Sequence, residues 1–257
     1  MISLFDTHTH LDSPHFDEDR EAVIERARAA GVDLMVNIGF NRETIPTTLA
    51  LAEKYDFIYA AVGWHPVDSI DMLPEDLGWI EELCSHPKVV AIGEIGLDYH
   101  WDTSPKDVQH RVFREQIRLA KKLRKPIIIH NRDAHEDVVK LLKEENASEV
   151  GGVMHCFSGS PETAQKCLDM NFYISFGGPL TFKNARVPKE VLSMVPSDRI
   201  LIETDAPYLT PHPFRGKRNE TSYVSLVAEA AAEILGKSVA EIANLTTENG
   251  KKCFGIE

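Results

Sequence analysis

Short apolar runs rich in β-formers recur along the chain, each bounded by polar, glycine or proline punctuation. Eight stand out: Leu4–His10, Leu34–Phe40, Ile58–His65, Val89–Leu97, Pro126–Asn131, Gly152–Phe157, Phe172–Gly177 and Ile200–Asp205. Seven of them are followed, before the next begins, by a stretch able to form a helix. DEDREAVIERARAA after the first run carries Val23, Ile24, Ala27 and Ala30 near helical spacing. SPKDVQHRVFREQIRLAKKL, the longest, opens on a Ser-Pro start signal. After the eighth run come two further helical segments, Thr221–Leu235 and Ser238–Cys253.

Apolar strands alternating with helices predict a parallel sheet covered by helices. Eight such units in 257 residues match an α/β fold of the TIM (β/α)8 barrel type, one domain spanning 1–257 with extra C-terminal helices. A doubly wound sheet is the rival, but no GxGxxG follows the first run.

Charge narrows the partners. Lys and Arg number 28 against 40 Asp and Glu, a net charge of −12, which opposes binding nucleic acid along a broad basic face. Phosphates met through bound cations stay compatible with it. The four cysteines (Cys84, Cys156, Cys167, Cys253) form no CxxC pair, as expected of a reduced compartment. No apolar run reaches the ~18 residues of a membrane span, and MISLFDTHTH lacks the basic-then-apolar pattern of a secretory signal. The expectation is a cytoplasmic protein, with no membrane association and no obligate protein partner evident.

The unusual residues gather at run ends. His8 and His10 end the first run, His65 the third, His130 the fifth and Asp205 the eighth; Glu94 and His155 fall late in the fourth and sixth. In a barrel all C-terminal strand ends meet on one rim, so these remote residues converge where such folds place their active sites. His8-Thr9-His10 has period-two spacing, putting both imidazoles on one strand face, a pairing that suits a divalent metal. Asp6 shares that face, either orienting a ligand or serving as a buried structural acid. Glu94 lies in VVAIGEIGLDY in phase with Val90 and Ile92, where a carboxylate needs a cation or hydrogen-bond partner. One carboxylate can also offer an oxygen to each of two metals. Glu203 sits below Asp205 on one face, while Cys156, next to His155, is expected to face away and pack. The set His, His, Glu, His, His, Asp exceeds one tetrahedral zinc site and suits two ions sharing Glu94.

At these residues the chain is similar to a known family. DTHTHLD, GWHP, GEIGLDY, IIIHNRDAHED, MHCFSG, ISFGG, ETDAPYL and RGKRNE resemble, in order, motifs of the TatD family of metal-dependent deoxyribonucleases. The resemblance runs from Asp6 to about Asn249 and implies a TIM barrel with a dinuclear metal site. It implies that His8, His10, Glu94 and Asp205 hold one ion, and Glu94, His130 and His155 the second. His65 matches a histidine near the substrate phosphate; Arg132 and the Arg218-Asn219 pair fall where they could face substrate. GEIGLDY contains no lysine, which steers away from amidohydrolases with a modified lysine at that strand.

The activity expected is hydrolysis of phosphodiester bonds, as an exonuclease on single-stranded DNA, with Glu94 and Asp205 catalytic, Asp205 orienting or deprotonating the water, and His65 and Arg132 gripping phosphate. RNA is a second candidate substrate. Two divalent ions are implied, Zn, Mn, Mg or similar, because imidazoles and carboxylates are borderline donors. One alternative is ester hydrolysis on aminoacylated tRNA, as credited to relatives of this kind; a non-catalytic metal-binding scaffold is another. Around the site, HPFRGKRNE (212–220) offers a phosphate contact or a plain solvated loop, and KKLRK (121–125) should lie at the opposite barrel end. Gly177-Gly178 could admit substrate to backbone N–H groups or form a turn. Trp64, Tyr99 and Trp101 could stack a base or simply pack.

Overall fold

The computed structural model describes residues 2–257. Eight parallel strands stand in sequential order: β1 (Leu4–Thr9), β2 (Val32–Gly39), β3 (Ile58–Val62), β4 (Val89–Asp98), β5 (Ile127–Arg132), β6 (Gly152–Met154), β7 (Phe172–Phe176) and β8 (Ile200–Ile202). One helix follows each of the first seven strands: α1 (Arg20–Ala29), α2 (Thr44–Lys54), α3 (Pro74–Leu83), α4 (Lys106–Leu123), α5 (His135–Glu144), α6 (Pro161–Asp169) and α7 (Arg186–Met194). Then α8 (Val224–Leu235) and α9 (Val239–Phe254) complete the chain. The expected α/β barrel is the fold observed.

The seam between β1 and the chain after β8 is stitched at the functional residues themselves. Asp205 N donates to His8 O (2.9 Å) and His10 N to Ala206 O (2.8 Å). Asp6 reinforces it by accepting from Thr204 N (2.9 Å) and Thr204 Oγ1.

Alternation sorts the strands' apolar residues into two layers. Leu4, Met35, Ile92, Ile95, Ile127 and Ile129 join the layer against the helices. Phe5, Val36, Ile38, Ala61, Ala91, Ile128, Val153 and Leu201 fill the lumen. At the N-terminal end of the barrel Phe254 of α9, 5.9 Å ring to ring from Phe5, closes that lumen together with Ile256 just after the helix. Gly250 on α9 permits this approach, because a Cβ there would lie 2.6 Å from the Phe5 ring. The opposite end, at the C-terminal strand ends, is left open.

Two irregularities aim polar side chains into that open end. On β1 the three-residue step Asp6→Thr9 matches two residues of β2, Met35→Asn37. On β4 the step Ile92→Ile95 matches Ile127→Ile129 of β5. Each extra residue reverses the alternation. Asp6 therefore does not share the His8 face, and Glu94 is out of phase with Ile92: both expectations fail at a bulge. Strands six and eight also end sooner than their apolar runs suggest. The backbone turns left-handed at Cys156 (φ 39°) and Asp205 (φ 55°), leaving His155 and Asp205 just beyond the ladders.

Candidate metal centre

Glu94 is the hub of the open end. Its Oε1 accepts from His130 Nδ1 (2.7 Å) and lies 3.0 Å from His155 Nε2 and 3.7 Å from His65 Nε2. Its Oε2 faces the other way, 3.4 Å from His8 Nε2. Asp205 Oδ1 completes the second side, 3.3 Å from His10 Nε2 and 3.7 Å from His8 Nε2. His8 and His155 stack with centroids 3.8 Å apart, joining the halves. All six expected ligands thus converge from β1 and the residue just after it, β4, β5 and the turns after β6 and β8. Three ligand sets have donor atoms within 4.8 Å of one another: His8 with His155 and Asp205, His8 with His10 and Glu94, and His65 with Glu94 and His130. His65 is therefore inside the cluster rather than set apart from it.

Charge in this buried space is tightly arranged. Burial would raise the Glu94 carboxyl, but His155, His8 and His130 hold it well below the usual range. Asp205 is lowered likewise against its burial, by His10, His155 and His8. Burial, with His155 beside it, lowers the His8 imidazole; burial and His130 push His65 down to about 3. Against burial, Asp205 raises His10, Asp98 and Glu94 raise His130, and Glu203 and Glu94 raise His155 well above its ordinary value. The residues fit divalent ions. Both ring nitrogens of His8 are buried without a hydrogen-bond partner, an expensive state that a cation would relieve. Borderline nitrogen and oxygen donors surround that ring.

A supporting layer holds these side chains. Glu203 Oε1 accepts from His155 Nδ1 (2.8 Å), so the anticipated carboxylate below the rim is present and directs Nε2 toward Glu94. Asp98 Oδ2 accepts from His130 Nε2 at 2.9 Å. Asp98 was not singled out in the sequence, although it stands four residues after Glu94 in the same GEIGLDY motif. Two further residues give no sequence signal. Buried Gln109 and Gln116 on α4 clamp the backbone N–H and C=O of Asp98 (2.9 and 3.0 Å) and of Trp64 (2.7 and 3.1 Å), the latter beside His65. Asp6 proves structural: burial raises its carboxyl to about 7 while Thr204 holds it at the seam.

Above the cluster opens a cavity of ≈ 870 Å³, lined by the site residues other than the buried His8, together with Phe40, Trp101, Asn131, Arg132, Phe157 and Tyr208. Arg132 is the one Lys or Arg among these lining residues. Arg218 is not among the lining residues: its guanidinium binds Asp19 (2.7 and 2.8 Å) and His15 O (2.7 Å). Neighbouring Asn219 is buried and donates to Thr204 O and Tyr208 O, and Glu220 beside it pairs with Arg26, so the end of 212–220 is a structural strap while most of its earlier residues are exposed. Cys156, expected to face away, lines the cavity because of its left-handed turn; burial, together with Glu203, Asp205 and Glu94, raises its thiol well above the ordinary value. Trp64 is buried and bonded to Asp68 O, and Tyr99 bonds Asp137 and His110, so of the three aromatics only Trp101 lines the cavity. Gly178 serves a close approach to Leu209 O, where a Cβ would sit at 1.8 Å. Lys121 and Lys122 of KKLRK pair with Glu149 and Glu81, away from the cavity.

A sequence profile described as TatD related DNase matches residues 5–255. The chain belongs to the TatD family. It is 64% identical over 253 residues to the uncharacterized metal-dependent hydrolase YabD of Bacillus subtilis, covering 98% of this chain and 99% of YabD. To the 3'-5' ssDNA/RNA exonuclease TatD of Salmonella typhimurium it is 36% identical over 258 residues, covering 98% and 99%. The crystal structure of the TatD homologue YJJV from Escherichia coli superimposes with a TM-score of 0.94 at 33% identity over the full length of both chains. This TatD-family chain is accordingly a metal-dependent hydrolase. Among its described residues no helix is long and apolar enough to cross a membrane.

Proposed function

We propose that this TatD-family hydrolase is a deoxyribonuclease working as an exonuclease on single-stranded DNA, with two divalent ions sharing Glu94. The observation that carries this reading is the division of the Glu94 carboxylate. Oε1 serves the His130–His155 side and Oε2 the His8 side, under a cavity open to solvent. The exonuclease named TatD among the relatives supports the choice of substrate.

In this reading His8, His10, Glu94 and Asp205 would hold one ion, and Glu94, His130 and His155 the other. His65 lies close enough to the second set to steady the phosphate or complete the coordination. Bound divalent ions supply Lewis-acid charge for the phosphoryl oxygens and lower the pKa of water at the site. The chain's own groups do the rest. Asp205, held ionised by the neighbouring histidines, accepts the proton of the attacking water. Glu203 and Asp98 keep His155 and His130 in one orientation. Arg132 reaches the phosphodiester backbone from the cavity wall.

The test is hydrolysis of end-labelled single-stranded DNA and RNA with Zn²⁺, Mn²⁺ or Mg²⁺ against a chelator control. Metal-dependent stepwise shortening supports the reading. Inactivity on both, with turnover of aminoacylated tRNA, would replace it by ester hydrolysis.

A further inference from the structure

The cavity is built for bases as well as for phosphate. Among its lining residues, all described, Arg132 is the one Lys or Arg, and the chain carries a net charge of −12. Backbone neutralisation, the ordinary source of nucleic-acid affinity, is therefore scarce here. What the rim offers instead is aromatic surface. Trp101 is 55% exposed and Tyr208 50% exposed, and both line the cavity. Trp101 follows β4 and Tyr208 follows β8, four strands apart in an eight-stranded barrel and so on opposite sides of the mouth. Glu94 is carried by β4 and Asp205 by the turn after β8, the same two sides, and both line the same cavity.

Neither ring rides on a loose loop. Trp101 N donates to Asp98 Oδ1 (3.1 Å), the carboxylate that holds His130. Tyr208 N donates to Asp205 O (2.8 Å), and Asn219 Nδ2 donates to Tyr208 O (2.6 Å). Trp101 is thus tied to the acid that holds His130, and Tyr208 to Asp205 itself. The Arg132 guanidinium lies 5.8 Å from the Trp101 ring centroid, setting a cation for a phosphate beside an aromatic face for a base.

Resting on the nuclease reading above, we propose that Trp101 and Tyr208 are paired stacking platforms, which receive the bases on either side of the scissile phosphate and hold it over Glu94 and Asp205. Base stacking is sequence-tolerant, since every base has a π-face. The site then selects unpaired strands, whose bases are free to splay, with little preference among bases.

The experiment compares a thymidine pentamer with the same strand carrying abasic residues at the two terminal positions of each end. Trp101→Ala and Tyr208→Ala are each expected to lower kcat/KM on the pentamer about 5- to 100-fold, mainly through KM. The abasic strand is expected to be a poor substrate for the unaltered chain, and the variants should lose most of that discrimination. A readout independent of turnover is tryptophan fluorescence of the Glu94→Gln protein titrated with the pentamer. Quenching is expected, and its loss in a Glu94→Gln, Trp101→Phe double variant assigns it to Trp101. Unchanged pentamer kinetics in both variants, or equal losses on both strands, would overturn the proposal. If the unaltered chain hydrolyses neither strand, the nuclease reading fails, while the fluorescence titration still decides whether Trp101 stacks.

Discussion

Asp98 Oδ2 accepts a 2.9 Å hydrogen bond from His130 Nε2, while Oδ1 of the same carboxylate accepts from the backbone N–H of His100 (2.9 Å) and Trp101 (3.1 Å). One buried acid therefore fixes the His130 ring and the loop at the cavity rim. A carboxylate behind a metal-binding histidine sets its orientation and tautomer, and losing it commonly costs 10- to 100-fold in metal affinity or activity. Asp98→Ala is expected to raise the metal concentration needed for half-maximal hydrolysis by about that range. Asp98→Asn should recover part of the loss. A metal titration of activity checks both, and an unchanged midpoint in Asp98→Ala would remove Asp98 from the working site.

Gln116 ties the outer helices to the centre. Its side chain satisfies both backbone groups of Trp64, beside His65, in a fully buried position. Gln116→Met keeps the volume but strands a buried N–H and a buried C=O. Each such group costs about 1–3 kcal/mol, so a loss of at least about 2 kcal/mol is expected. In a protein of this size that corresponds to a fall in Tm of roughly 4–8 °C. Thermal unfolding measures it, and a Tm within a degree of the unaltered chain would show that the bonds contribute nothing.

Arg218 provides a contrast with Arg132. Its guanidinium is engaged by Asp19 and His15 O, outside the cavity lining. Arg218→Ala should leave kcat/KM within about twofold and cost no more than about 1 kcal/mol, as partly exposed ion pairs do. Arg132→Ala should raise KM for DNA while leaving stability unchanged. Steady-state kinetics on both variants test the division; equal losses would return Arg218 to the substrate path.

Acid, and not neutral pH, should loosen the strap after β8. Burial would raise the Glu220 carboxyl, but Arg26 and Ser222 outweigh it and hold the group below its ordinary 4.5. A lowered folded-state value means stability that is fully present above about 4.5 and is lost as pH falls through the folded value. Glu145, lowered by Arg118 and then Arg114 against its burial, has the same sign. Arg26→Met should flatten the dependence of stability on pH below that range. Denaturant unfolding at stepped pH checks this, and an unchanged slope would contradict it.

The alternation of apolar runs and helices made a helix-covered parallel sheet legible, and the count of eight units without a GxGxxG after the first favoured the barrel over a doubly wound sheet. The convergence of His, Glu and Asp was legible for a related reason: at the ends of apolar runs such side chains are too costly to place without a partner. The bulges at Asp6–Thr9 and Ile92–Ile95 were not legible, since an extra residue in a ladder leaves no mark on composition; only Gly93 hints at one. That is why Asp6 does not share a face with His8, nor Glu94 with Ile92, whereas Val90 does belong to the lumen layer. Cys156 was misjudged for a similar reason, its left-handed backbone overriding strand alternation. Gln109 and Gln116 stayed hidden because glutamines on a helix face ordinarily meet solvent, and nothing local says that these two meet backbone. Tyr208 follows a proline in a loop, and its exposure at the mouth is a property of the closed barrel alone.

The central claim is that two ions sharing Glu94 drive phosphodiester hydrolysis. Its most direct test is bound metal per chain, determined by elemental analysis, alongside digestion of an end-labelled single-stranded DNA, for the protein and its Glu94→Ala variant. The account expects two ions per chain, stepwise shortening that stops with chelator, and a variant that loses metal and activity together. Full activity in Glu94→Ala, or digestion undiminished by chelation, would contradict it.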